Sequence, residues 1–421
     1  MSKNQISLVF DVTDITNPTK LFDNEETNIL EKIKTLEIDG DRIKQPSEYF
    51  TFDSEGIHNV SLVLNEELES MSNLFQDCYY LLEIDLSNLD TSKVTSMSGL
   101  FKRCTSLTYI DFSTLDTSNV TDMSEMFLSC SSLTNINLLS LKTSKVTNMS
   151  NMFSACGNLE EIKLSKIDTS NVTDMNNMFC SCAKLKNIDL SKFKTSNVID
   201  MNRMFYGCEK LESLDLSKFN TKNVEDMHGL FAHCKKLTFL YVTNFNTKKV
   251  KYMQYMFDSC SSLVFLDLSS FSTESVEDMK FMFFGCSSLS SLDLSVFNIK
   301  NVKDMRNLFH GCTSLVMLDL SNFGTNLVTD VSFMFCDCTS LIQVDMGNFS
   351  SENLNDASHL FDGCENLSNL NLNNLDMRKV ENYEDIFNGI PEQGSIIYNY
   401  TFFDELIQLV PGSWEKIMID K

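Results

Sequence analysis

Apolar residues return along this chain at two alternating periods, and the whole pattern repeats every 26 residues. Between Leu107 and Leu133, Ile110 and Phe112 alternate with Tyr109, Asp111 and Ser113, the period of a strand with one buried face. Further on, Met123, Met126, Phe127 and Cys130 stand at i, i+3, i+4 and i+7, the spacing of one helix face. The pattern predicts a short parallel strand followed by a short helix. Asp122 is the expected N-cap, and glycines such as Gly207, Gly285, Gly311, Gly363 and Gly389 should end the helix within two turns. A hydroxyl column runs through Thr91, Thr117, Thr143, Thr169, Thr195, Thr221, Thr247 and Thr273. It is expected to satisfy backbone groups that stacking removes from water.

The unit recurs without a break. Phenylalanines fall at Phe75, Phe101, Phe127, Phe153, Phe179, Phe205, Phe231, Phe257, Phe283, Phe309, Phe335, Phe361 and Phe387, each 26 residues after the last. A unit this short buries its apolar face only against its neighbours, so the period implies a solenoid. The expected fold is α/β, a leucine-rich repeat solenoid of about 12 units over residues 68–390. Both ends need covering. Residues 1–67 read as a small β-rich capping domain, with strands at ISLVFDV, KTLEID, EYFTF and HNVSLVL; residues 391–421, with the single Trp414, read as the C-terminal cap.

LSNLDTSKVTSMSGLFKRCTSL, LSKIDTSNVTDMNNMFCSCAKL and LSSFSTESVEDMKFMFFGCSSL resemble the BspA-type leucine-rich repeat of bacterial surface proteins, in the variant also found in mycoplasma lipoproteins. Residues 38–64 are similar to the segment preceding such repeats in gut-bacterial members and some of their phages. The resemblance implies a non-enzymatic, ligand-binding or adhesive solenoid, usually at a cell surface. The N-terminal MSKNQISLVFDVTD has neither an apolar signal core nor a small-residue cleavage site, so export by the general route is not expected.

Charge narrows the partners. With 58 acidic and 34 basic residues the net charge is −24, which disfavours nucleic acid and anionic membranes; no apolar run is long enough for membrane insertion. The 14 cysteines fall mostly in one column, three residues after each Phe. Packed helices would space them roughly 8–10 Å apart, beyond disulfide reach, so buried free thiols are expected. Cys180 and Cys336 lie outside the column and should be the reactive ones. Cys180-x-Cys182 and Cys336-x-Cys338 are not expected to bind zinc, because residues i and i+2 diverge on a helix. Most of the 22 methionines take core columns where other units hold Leu, Val or Ile. The five histidines are dispersed, and no grouping of residues implies catalysis.

The outward strand columns carry the candidate chemistry. Asp85, Asp111, Asp189, Asp215, Asp267, Asp293, Asp319 and Asp345 share one position. They read first as a solvated acidic face, and otherwise as capture of a cationic or polyhydroxylated partner; calcium bridging is the only cofactor the column raises. Phe239, Tyr241 and Phe265 interrupt this polar face and form the expected partner-binding site, with Asp215 and Asp267 beside them. A lysine-bearing edge, including Lys142, Lys145, Lys192, Lys194, Lys218, Lys222 and Lys249, is the other candidate surface. The expected function is non-enzymatic binding of a protein or glycan through the sheet face. The alternative is a structural or host-contact component of a virion or other assembly.

Overall fold

The computed structural model describes residues 4–324, 327–349, 352–402 and 404–419. The chain divides into two compact units, one of Met1–Val198 with Met204–Leu211, the other of Ile199–Arg203 with Glu212–Lys421.

In the first unit the strand Gln5–Val12 lies between Gly56–Leu64 and Leu81–Asn88, antiparallel to both. Alternation dictates this: Ile6, Leu8, Phe10 and Val12 are buried while the residues between them are not. Ile33–Ile38 joins the outer edge of Gly56–Leu64, and Asp41–Ile43 follows it. The expected strand at EYFTF is reduced to Tyr49–Phe50, paired with Thr19–Lys20. Leu81–Asn88 is also the first repeat strand, and it pairs in parallel with Tyr109–Ile110. The N-terminal strands and the first coils thus form one sheet.

The coils themselves are a parallel β-solenoid of about 12 turns. Their strands are short, as at Asn135–Asn137, Glu161–Lys163, Ser213–Asp215 and Phe239–Tyr241, each with its middle residue buried. A second parallel ladder of single bridges runs through Ser96, Asp122, Asn148 and Asp174 in the first unit, and from Asp200 to Asn382 in the second. Inside, the phenylalanines stack with ring centroids 5.4 Å apart at Phe127–Phe153 and 5.6 Å at Phe283–Phe309. The second unit ends in parallel strands Asn369–Asn371, Ser395–Tyr398 and Glu415–Met418. There Trp414 is buried and donates from Nε1 to the Pro391 carbonyl, 2.8 Å away.

The helix expected in each unit is absent from the described coils. Its place is taken by consecutive tight turns. In the coil at Phe75, the N–H groups of Met71, Asn73, Phe75 and Asp77 donate to carbonyls of Ser96, Ser98, Leu100 and Lys102 in the next coil. The alternate N–H groups of Leu74, Gln76 and Cys78 donate three residues back, to Met71, Asn73 and Phe75. Residues two before and two after each Phe have positive φ, as at Asn73 (57°) and Asp77 (62°), and this left-handed backbone stops a helix. Two successive four-residue turns return a side chain to the core about every fourth position. A core stripe at i, i+3, i+4 and i+7 therefore fits turns as well as a helix. Glycine after the Phe serves a positive φ, as at Gly311 (72°), and Asp122 caps a turn, its Oδ1 accepting the Ser124 N–H at 2.8 Å.

The threonine column does what the sequence predicts. Thr117 Oγ1 donates to the Lys142 carbonyl at 3.0 Å and accepts the Lys142 N–H at 2.7 Å. Thr91, Thr143 and Thr169 repeat the exchange with Asp116, Asp168 and Lys194.

Candidate functional site

The sheet face is built from the outward residues of three-residue strands. Asp215 is registered opposite Tyr241, and Ser213 opposite Phe239. Phe239, Tyr241 and Phe265 are 61%, 51% and 68% exposed, so the fold leaves all three rings in water. With Val264, Thr238, Thr243 and Asp267 they line one groove of about 640 Å³. The groove is mainly apolar on a face that elsewhere is mostly polar, with Tyr109 and Met317 among the other exposed apolar side chains of its strands. Asp215 is exposed and Asp267 half-buried. A neighbouring hollow joins Phe265 and Asp267 to Asp293, Val296 and Met317, so the apolar surface runs on beyond the three aromatics. Val264 and Met317 were not singled out in the sequence: Met317 is an apolar outward residue by the same alternation, whereas Val264 precedes the strand position and is exposed beside Phe265 against that alternation.

The acidic column has a structural occupation. One oxygen of each of Asp85, Asp111, Asp189, Asp215, Asp267, Asp293, Asp319 and Asp345 accepts the N–H two residues on, at 2.7–3.0 Å. Aspartate thus caps the turn where the strand leaves the sheet, a role Asn137 and Asn371 fill in their own coils. Hydrogen bonds from the serine two residues on hold the carboxyls of Asp189, Asp215, Asp267, Asp293 and Asp319 below the ordinary range.

At the lysine edge, side chains reach back one coil. Lys142 and Lys194 pair with Asp116 and Asp168 at 3.1 and 3.5 Å, and Lys145 and Lys249 donate to Asn119 and Asn223. Such exposed pairs contribute little stability, but they occupy the charges that an acidic partner would need.

All 14 cysteines are free thiols. The spacing expected from helix packing does not apply, because coils stack at ladder distance. The column thiols point the same way and donate to carbonyls instead, Cys104 Sγ to Phe75 and Cys130 Sγ to Phe101 at 3.0 and 3.1 Å. Parallel Cβ directions suit this better than a disulfide. Cys180 is half-buried as expected of a reactive thiol, but Cys336 is only 6% exposed, and burial pushes its pKa up to about 12.

Sequence reasoning missed a ring stack on the turn ridge. Tyr255–Phe281, Phe284–His310 and Phe333–His359 have ring centroids 5.0, 4.9 and 4.4 Å apart. The signal was present: Tyr255, Phe281 and Phe333 fill a left-handed position where six other coils carry Asn or Gly.

A family profile described as "Mycoplasma protein of unknown function, DUF285" matches residues 44–163, 149–239, 213–314 and 289–400. This agrees with the mycoplasma repeat variant that the quoted segments resemble. No curated protein sequence matches the chain. Among solved structures, a leucine-rich repeat protein from Bacteroides ovatus is 20% identical over 72% of this chain and 88% of its own, with a TM-score of 0.32. One from Eubacterium ventriosum is 16% identical over 66% and 81%, TM-score 0.31. A leucine rich cell surface protein from Faecalibacterium prausnitzii is 15% identical over 56% and 78%, TM-score 0.24. Likeness at this level says nothing of what this chain binds.

Proposed function

The chain belongs to the DUF285 family, and from that premise we propose that it is a non-enzymatic binding protein whose partner docks on the sheet face at Phe239, Tyr241 and Phe265. The observation that carries this reading is the exposure of three rigid rings around one apolar groove, on a face whose other outward residues are mostly polar, Tyr109 and Met317 being among the exceptions. Of the two partner classes expected, protein or glycan, the groove favours protein. Its lining offers few hydrogen-bonding groups to sugar hydroxyls, whereas an apolar side chain fills it. Carboxylates of Asp215, Asp267 and Asp293 border it, and the chain carries a net −24, so the fitting segment has Lys or Arg flanking that side chain. In the same reading, residues 1–67 and 391–421 act as caps that keep the ends of the coils from pairing with other chains.

Defined peptide and glycan arrays probed with the purified chain test the partner class. Binding to peptides that pair an apolar anchor with basic neighbours, weakened by added salt, is the expected result. Binding to glycans alone would replace the protein partner with a carbohydrate one, and binding to neither would remove the docking role from this face.

A further inference from the structure

Three consecutive coils place His310, Cys336 and Asp362 in one column, one residue after the buried Phe309, Phe335 and Phe361. Asp337 stands beside Cys336 at a left-handed turn, φ 57°. A ring nitrogen of His310, the Cys336 Sγ and a carboxylate oxygen of Asp337 all lie within 4.8 Å of one another. His310 Nε2 is 3.5 Å from Asp337 Oδ2.

The imidazole is held from its other side. His310 Nδ1 lies 2.7 Å from Asn307 Oδ1. An amide oxygen only accepts, so Nδ1 carries a proton, and Nε2 is the ring nitrogen that faces the Asp337 carboxylate. Metal-binding imidazoles are oriented in this way, one nitrogen fixed by an outer hydrogen bond and the other free to ligate. Phe284 and Phe333 flank the ring, with centroids 4.9 and 6.2 Å away. Asp362 is already engaged: its Oδ2 lies 2.9 Å from His359 Nδ1, and its Oδ1 accepts from Asn388.

We propose that His310 Nε2, Cys336 Sγ and Asp337 form a three-ligand site for a borderline divalent transition metal, of the Zn²⁺ or Co²⁺ class, with the fourth position open to water. One thiolate, one imidazole and one carboxylate select against Ca²⁺ and Mg²⁺, which take oxygen ligands. Donors around a tetrahedral zinc ion are about 3.3–3.6 Å apart. The site therefore needs to close by up to about 1.5 Å from its present 4.8 Å limit. Asp337 is exposed and supplies that movement. On binding, the thiol proton leaves to solvent and the sulfur lone pair forms the metal bond. Cys180 is an internal control: it occupies the same column, but its neighbours there are Ser154 and Tyr206.

Titration of the full chain with Co²⁺ reads the site directly through thiolate-to-cobalt charge-transfer absorbance. One equivalent is expected to saturate the band, and Zn²⁺ should displace it. Cys336→Ser should abolish the band, and His310→Ala and Asp337→Asn should each weaken binding at least tenfold. Asn307→Ala, which removes only the outer hydrogen bond, should weaken it about 10- to 100-fold. Cys180→Ser should leave it unchanged. Circular dichroism identifies any variant that fails to fold, and three independent ligand variants ensure that a folded one remains. No band in the wild-type chain, a band retained in folded Cys336→Ser, or a band lost in Cys180→Ser would overturn the proposal.

Discussion

The cysteine thiols give the sharpest case at the scale of single residues, because burial is the largest cause of their shifted acidity. Burial pushes Cys156 and Cys312 up to about 12, so the reactive thiolate is scarce at neutral pH. A bulky thiol reagent on the native chain should label Cys180 and few others, and all 14 after denaturation; peptide mapping by mass spectrometry checks this. The column aspartates titrate in the opposite sense. The folded pKa values of Asp189, Asp215, Asp267, Asp293 and Asp319 are depressed below the ordinary 3.8, so the stability these residues contribute is present above that value and is lost as pH falls through the folded values. Thermal melting followed from about pH 5 to about pH 2 should therefore show a falling midpoint below about pH 4. Asp215→Asn, which keeps an acceptor for the Ser217 N–H, should flatten part of that fall.

The repeating element was legible in outline and misread in one part. Burial periodicity named the core: Leu107, Ile110, Phe112, Met123, Met126, Phe127 and Cys130 are all buried. The threonine column was legible because a buried hydroxyl has few ways to be satisfied. The helix was misread because a stripe of four apolar positions does not separate a helix from consecutive turns. What separates them is the residue at the left-handed positions, Asn, Ser, Asp and Gly in many coils, and that signal was read only as a helix stop. The same error hid the metal-type cluster, since turns, unlike a helix, place His310, Cys336 and Asp337 together. Two measurements follow at this scale. Far-ultraviolet circular dichroism should show little helix, as only Ile29–Lys32 and Asp404–Leu409 are helical among the described residues. Gly311→Ala should destabilise by about 1 kcal/mol through its positive φ, since its new Cβ meets nothing closer than 3.6 Å.

For the whole molecule, stability passes between neighbouring coils through the ring stack and the backbone ladders, while the outward columns stand apart from that exchange. Phe283→Ala removes a ring stacked on Phe257 and Phe309 and should cost about 3–5 kcal/mol. Hydrogen exchange should then quicken in the coils on either side, and uniform protection would contradict nearest-neighbour stacking. The binding face answers to a different test, because Phe239, Tyr241 and Phe265 make no part of the core. The partner affinity of the triple alanine variant, measured beside its melting temperature, tests most directly whether this exposed face does the binding. An unchanged melting temperature with affinity weakened by about 2 kcal/mol or more is the predicted result. Unchanged affinity in the folded variant would contradict it and move the binding surface to the lysine edge at Lys192, Lys218 and Lys222.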